Sequence, residues 1–405
     1  MEKNANFVRI GTQIYLIAIL PDGREQYILW NEKAIYQDYD KIRGNEIIST
    51  MPRYLGWVNE PSHTDYQPII DGQWLNLYKP LPYQPKPGVD FPCTRKFLKH
   101  IFNEQIELGL DYLQLLYTKP KQKLPILLLV SRKRNTGKTT FLNFLRSIFG
   151  ENATFNTNES FKSQFNSDWA SKLIIMVDEA FLEKGEYTER LKNLSTATEY
   201  KEERKRYDKV ECVFHGKFVM CSNNEERPLV IDPDETRFWV RQIPQLKNDD
   251  PLMLEKLEYE IPAFLNYLLR RTLSTEKVSR MWFSFDSYHT KALDRIVANN
   301  RGRLEQQMTD LILDIMDSCR VDEIQLCPKD MLNLMAVKGY YGRHEIDLLS
   351  IRKVLRDDWR LKPVENGLTY SFYQYSPTQS EGYVKVQDVG RFFTITRKFI
   401  QNLTL

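Results

Sequence analysis

Residues 124–141, LPILLLVSRKRNTGKTTF, constrain the chain more than any other stretch, because they require a buried strand, a tight polar turn and a helix in immediate succession. Ile126 to Val130 is unbroken apolar sequence with a β-branched residue at each end, the pattern of a strand buried on both faces of a parallel sheet. A loop running from such a strand into a helix leaves free backbone N–H groups at the helix start. The helix dipole is positive there, so the turn is an anion site. Gly137-Lys138-Thr139 supplies the rest of the Walker A loop, GxxxxGK[ST]: a charge that reaches the β- and γ-phosphates of a nucleotide, and a hydroxyl for Mg²⁺. Asn135, Thr136 and Thr140 complete the set of residues expected to contact ATP. Two positions depart from the pattern. Arg132 stands where the first glycine belongs, and Asn135 occupies a position that is often glycine, where asparagine takes a positive φ at modest cost. Alone, GKT also fits a turn before an amphipathic helix, so its support must come from other parts of the chain.

A second apolar run, Leu173 to Val177, ends in Asp178-Glu179 about forty residues later. This is a Walker B arrangement, in which a buried strand delivers carboxylates to the edge where phosphates sit in an open α/β sheet. Asp178 is expected to hold Mg²⁺ together with Thr139, and Glu179 to orient and deprotonate the attacking water. A strand ending in Asp-Glu is also an ordinary solvated cap, and it is the GKT upstream that gives the pair its meaning. A third run, Lys217 to Ser222, ends in Asn223-Asn224. An amide at that edge can bond a γ-phosphate or the lytic water without adding charge. Arg237, just before the strand-like Phe238-Trp239-Val240, can complete a neighbouring subunit's site as an arginine finger or form a surface ion pair with Asp234 or Glu235. Between the second and third runs, residues 188–209 are highly charged and read as a solvated helix with mixed i,i+4 pairs.

The order of these parts resembles the superfamily 3 helicases of viruses, phages and plasmids, and within them the helicase part of poxvirus- and phage-type primase-helicases. The resemblance covers roughly residues 93–244. It implies an α/β, AAA+-like P-loop core, ATP and Mg²⁺ as cofactors, and a homo-oligomer, a hexamer, acting on single-stranded or forked DNA. Carried over residue by residue, it places the Walker A lysine and hydroxyl on Lys138 and Thr139 and the Walker B acids on Asp178 and Glu179. The motif C asparagine falls on Asn223 and the arginine finger on Arg237. It also places a basic hairpin in the charged segment, with the family lysine on Lys205 and Lys201, Arg204 and Arg206 beside it as nucleic-acid contacts.

On both sides of this core the sequence divides further. With 405 residues the chain exceeds one ordinary core. Residues 1–90 read as a small α+β domain with a hairpin near Asp22-Gly23, closed by a proline-rich connector at 81–88. Residues 91–123 read as a helical lead-in ending in a basic turn, 124–275 as the ATPase core, and 276–303 as a connector ending in the basic turn 299–303. Residues 304–405 give three helical patterns and then strands at 368–373 and 390–395, the order of a winged helix. Arg352, Lys353 and Arg356 on its third helix, and Arg391, Arg397 and Lys398 near the wing, form either a DNA face or the solvated side of a protein-interaction module.

Composition narrows the classes. Charged residues make up 27% and hydrophobic residues 42%, as in soluble globular proteins, and a net charge of +3 neither requires nor excludes nucleic acid. No apolar run reaches the eighteen or so residues of a membrane span, and the first residues lack a signal-peptide pattern, so the expected compartment is the cytoplasm. Five scattered cysteines fit free thiols. Cys212, His215 and Cys221 lack a fourth metal ligand. No primase constellation of paired acids with a histidine precedes Cys93, which admits a separate primase as a partner. The expected activity is ATP-dependent helicase action during replication of a mobile element. The alternative is an ATP-regulated, DNA-binding initiator or scaffold that does not unwind.

Overall fold

The computed structural model describes residues 6–21, 23–162, 169–182, 185–202, 210–231, 235–248, 250–339, 346–379 and 382–403. The first unit holds strands β1 (Asn6–Ile10), β2 (Gln13–Ile19) and β3 (Glu25–Trp30), helices α1 (Glu32–Asp38) and α2 (Lys41–Thr50), and strands β4 (Arg53–Tyr54), β5 (Gly56–Val58), β6 (Ile69–Ile70) and β7 (Trp74–Asn76). The β2–β3 hairpin turns where the sequence places it, and the two sheets run β3-β2-β1-β4 and β5-β7-β6. Residues 81–90 form neither helix nor strand. Helices α3 (Pro92–Phe102) and α4 (Ile106–Thr118) follow as the lead-in.

The centre is a five-stranded parallel sheet. Its strands are β8 (Ile126–Val130), β9 (Ala153–Asn156), β10 (Ile174–Val177), β13 (Lys217–Ser222) and β14 (Phe238–Gln242), and their order across the sheet is β14-β8-β13-β10-β9. Helix α5 (Lys138–Phe149) links β8 to β9, α6 (Asn158–Lys162) follows β9, and α7 (Gly185–Thr196) follows β10. Before β13 comes an antiparallel hairpin of β11 (Glu199–Glu202) and β12 (Val210–Val213).

Alternate side chains of each strand leave on opposite faces, which explains the unbroken apolar runs. Leu127, Leu129, Ile174, Met176, Val219, Cys221 and Trp239 pack with α3, α4, α5 and α8 (Met253–Arg270). Ile126, Leu128, Val130, Ile175, Val177, Phe218, Met220, Phe238 and Val240 pack with Leu191 and Leu194 of α7 and with Ala292, Leu293 and Ile296. Both faces are therefore covered, as parallel sheets require.

After α9 (Phe285–Tyr288), helix α10 (Lys291–Ser318) runs unbroken for 28 residues. Residues 299–303, which the sequence suggests are a turn, lie inside it. Ile296 belongs to the core of the central sheet and Met308, Leu311, Ile312 and Ile315 to a separate C-terminal core. That last unit continues with β15 (Glu323–Leu326), α11 (Pro328–Val337), α12 (Leu348–Lys353) and a π-helical turn over Val354–Asp358. Strands β16 (Leu368–Tyr375), β17 (Tyr383–Gly390) and β18 (Phe393–Thr396) and helix α13 (Arg397–Leu403) complete it. The hairpin is β16–β17, while β18 pairs with β15. The strand expected at 390–395 is thus the end of one strand and the start of another. Arg397 lies outside the hairpin and pairs with Asp317 and Asp322.

The first unit docks on the core through His63. Its ring stacks on Tyr117 at 5.6 Å and meets Tyr78 and Phe149 edge-on. Burial lowers its pKa from 6.5 to about 3, and burial likewise lowers His215 to about 3. Both rings are held neutral in the fold and take up protons more readily once unfolded. Their contribution is therefore complete above pH 6.5 and is lost as pH falls toward 3. The thermal midpoint is expected to fall across that window, and to fall less in His63→Phe, which keeps an aromatic ring but does not titrate. A midpoint equally sensitive to acid in both proteins would remove His63 as a source.

Candidate nucleotide site

The C-terminal ends of β8, β10 and β13 are tied into one edge. Ser131 N–H donates to the Ser222 carbonyl at 3.1 Å, Ala180 N–H to the Cys221 carbonyl at 2.6 Å, and Ser222 Oγ to the Ala180 carbonyl at 2.8 Å. The phosphate loop, the two acids and Asn223 all follow directly from these ends. They meet because the chain crosses from β13 past β8 to β14, which makes this edge a topological switch point, the usual place for a ligand in an open α/β sheet.

Within the loop, Asn135 has φ +52° and Gly137 φ +83°. Glycine is needed at 137, because a Cβ there would come within 2.9 Å of the Phe97 ring. Arg132 does not adopt a positive φ among the residues that do, so the position gains nothing from glycine. Its N–H donates to Glu225 Oε1 at 2.8 Å and its guanidinium pairs with Glu226. Both departures from Walker A are thereby accommodated. The loop is backed by His100, whose Nε2 lies 3.0 Å from the Thr136 carbonyl, and by Leu246, whose N–H donates to the Asn135 carbonyl at 2.9 Å.

Lys138 is buried, with Nζ 3.2 Å from Thr136 Oγ1 and 3.4 Å from the Ser131 carbonyl. Burial pulls its pKa below the usual lysine value, opposed by Cys221, Asp178 and Glu225. A polyanion beside it would favour the charged form. Thr139 is the second residue of α5, and its Oγ1 donates to Asp178 Oδ2 at 2.8 Å. Thr140 follows it on the same first turn. Glu179 is exposed and left-handed, at φ +57°. Asn223 is exposed one residue beyond Ser222, which stands opposite Val130 in the sheet. Asn224 is engaged instead in its own turn, with Oδ1 accepting from the N–H groups of Glu226 and Arg227.

These residues come together, but Arg237 does not join them. Its carbonyl accepts from Ile126 N–H at the opposite end of β8, about 16 Å away at 3.3 Å per strand residue. Its Nη1 lies 2.8 and 3.0 Å from the two oxygens of Glu235, a buried carboxylate that also pairs with Lys192 at 3.0 Å. Of the two acids considered from sequence, Glu235 is thus a partner, and Asp234 is outside the described residues.

The charged segment is not one solvated helix. It contains most of α7 and strand β11, which pairs with β12 just beyond the segment, with Lys201 opposite Glu211 in register. Arg204, Lys205 and Arg206 lie outside the described residues, in sequence between the two strands. One residue that sequence reasoning missed is Asn158, which follows β9. Its Nδ2 donates to the Glu179 carbonyl and its Oδ1 accepts from Phe181 N–H, each at 3.0 Å.

The apo structure of the C-terminal region of NrS-1, residues 305–718, aligns with a TM-score of 0.56 at 18% identity, over 83% of this chain and 80% of that one. An A form apo structure of the same region aligns over 94% of each chain, with a TM-score of 0.55 and 18% identity. In fold, the chain resembles the NrS-1 C-terminal region. At this identity the likeness is one of fold, a mixed α/β architecture built on a parallel sheet. A family profile described as a family of unknown function (DUF5906) matches residues 129–241, the span from the end of β8 to β14 that holds every residue of the site. No protein of curated function matches the chain. Among the described residues, no helix is long and apolar enough to cross a membrane.

Proposed function

We propose that the chain is an ATP- and Mg²⁺-dependent DNA helicase of a phage, plasmid or other mobile element, working as a homo-hexamer on single-stranded or forked DNA. The observation that supports it most is the 2.8 Å contact between Thr139 Oγ1 and Asp178 Oδ2, next to buried Lys138. Two strands separated by a third deliver a hydroxyl and a carboxylate to one point on the phosphate edge. Hard oxygen donors of this kind suit Mg²⁺, so Thr139 and Asp178 fit as the residues that would hold it. When bound, the ion neutralises charge on the β- and γ-phosphate oxygens.

The protein's own groups do the rest. Backbone N–H groups from Asn135 to Thr140 and the Lys138 ammonium hold the phosphates, Glu179 takes a proton from the attacking water, and Asn223 orients that water or the γ-phosphate. Arg237, about 16 Å from its own loop by strand length, serves the nucleotide of an adjacent copy. The β11–β12 hairpin carries Lys201, Arg204, Lys205 and Arg206 to DNA phosphates, contacts that need charge and no base readout. In the C-terminal unit, the strand that the sequence missed, β15, sits between its first two helices. That order supports the winged-helix reading, with Arg352 and Lys353 exposed on the third helix and Arg356 exposed on the π-helical turn that follows it. They suit contacts to duplex phosphates.

With ATP and Mg²⁺, the full chain is expected to displace the strand of a forked DNA, and Lys138→Ala to lose both displacement and ATP hydrolysis. ATP-driven oligomerisation without displacement would instead favour a replication initiator or scaffold.

A further inference from the structure

Glu179 carries its carboxylate on a backbone that a non-glycine residue holds only when its surroundings over-determine it, at φ +57°. Four hydrogen bonds hold this stretch. Glu179 N–H donates to its neighbour Asp178 Oδ1 at 3.1 Å, and Ala180 N–H donates to the Cys221 carbonyl on β13 at 2.6 Å. The other two come from the other side of β10, where the chain leaves β9. Asn158 donates from Nδ2 to the Glu179 carbonyl and accepts at Oδ1 from Phe181 N–H, both at 3.0 Å. A single amide thus grips the backbone on both sides of Ala180.

We infer that Asn158 is the positioning residue for Glu179, a clamp that holds the carboxylate at the phosphate edge by fixing the peptide after it. This rests on reading Glu179 as the general base. Geometry explains why the side chain is an amide. The clamp needs a donor toward a carbonyl and an acceptor toward an N–H from one short planar group, which asparagine offers and aspartate or alanine does not. The Glu179 side chain itself is exposed, so its direction is set by its backbone, and loss of the Asn158 donor leaves the 179–180 peptide tied at its N–H end to Cys221 with its carbonyl unheld by Asn158. Asn158 is not expected to touch nucleotide. Its bonds are to the main chain, so its effect should fall on turnover and leave binding alone.

Asn158→Ala removes both bonds. Asn158→Asp keeps the shape and the acceptor for Phe181 but replaces the donor to Glu179 with a carboxylate oxygen. In the full chain, both are expected to lower kcat for ATP about 10- to 100-fold, the cost of small misplacement of a catalytic group, with KM for ATP within about twofold. Amide exchange should separate them, with Phe181 losing protection in Asn158→Ala and keeping it in Asn158→Asp. A purely structural role would make the loss of turnover follow the loss of protection, leaving Asn158→Asp active. Wild-type kcat in Asn158→Asp, or a rise in KM that accounts for the change in kcat/KM, overturns the clamp. Glu179→Gln measured in parallel separates the two readings. If it is inactive while both Asn158 variants turn over normally, only the clamp falls. If it still hydrolyses ATP, Glu179 is not the base and both readings fall.

Discussion

Glu179→Gln is expected to lower ATP hydrolysis by about 10²- to 10⁴-fold, the range that a positioned general base contributes, while nucleotide still binds. The substitution keeps the size of the side chain and removes its basicity. Binding should survive because the phosphate-facing groups, Lys138, the loop N–H groups and the Thr139–Asp178 pair, are untouched. The clean measurement is single-turnover hydrolysis beside equilibrium binding of a fluorescent ATP analogue. A variant that binds and hydrolyses as the wild type does would leave water activation to some other group. Both oxygens of Asp178 are already engaged, Oδ2 by the Thr139 hydroxyl and Oδ1 by Glu179 N–H.

Arg237→Ala should lower DNA-stimulated turnover by about 10³- to 10⁵-fold, the worth of an arginine that stabilises charge on a transferring phosphoryl group, without loss of nucleotide binding. Its position at the other edge of the sheet makes a direct test of action between copies possible. Mixing inactive Arg237→Ala with inactive Lys138→Ala should restore part of the activity, because some interfaces then pair an intact loop with an intact arginine. No recovery in mixed oligomers, or normal turnover in Arg237→Ala alone, would confine Arg237 to its ion pair with Glu235. That pair has a cost of its own. Removing the arginine leaves Glu235, buried at the surface of α7, with Lys192 as its remaining cation, so thermal stability has to be measured beside activity.

Much of the central sheet is visible in the sequence because strands buried on both faces must be apolar throughout. β8 and β13 occupy the residues that their apolar runs suggest, and β14 begins where Phe238 does. The edge strand β9 is hidden for the opposite reason. It has four residues, one neighbouring strand among the described residues, and ends in asparagine, so nothing in ATFN demands burial on two sides. The continuity of α10 is hidden by Gly302 and the basic residues around it, which read locally as a turn; the two cores flanking it decide otherwise. In the candidate site, Asp178 and Asn223 stand out in the sequence because each directly follows an apolar run, and Lys138 and Thr139 because a glycine-marked loop leads from such a run into the helix that they open. Asn158 was not, since its role depends on where the ends of β9 and β10 come to lie in space, and an asparagine in an asparagine-rich stretch carries no mark of its partner. The loop departures show the converse. Asn135 proves to sit where positive φ is needed, as its type suggests, while Arg132 departs from the motif at a position that places no such demand on the backbone.

Helix α10 also sets the spacing between two cores. Ile296 lies in the core of the central sheet and Met308 in that of the C-terminal unit, and the helix between them spans about 18 Å at 1.5 Å per residue. Hydrogen-bonded helix, and not an extended linker, therefore joins the two cores.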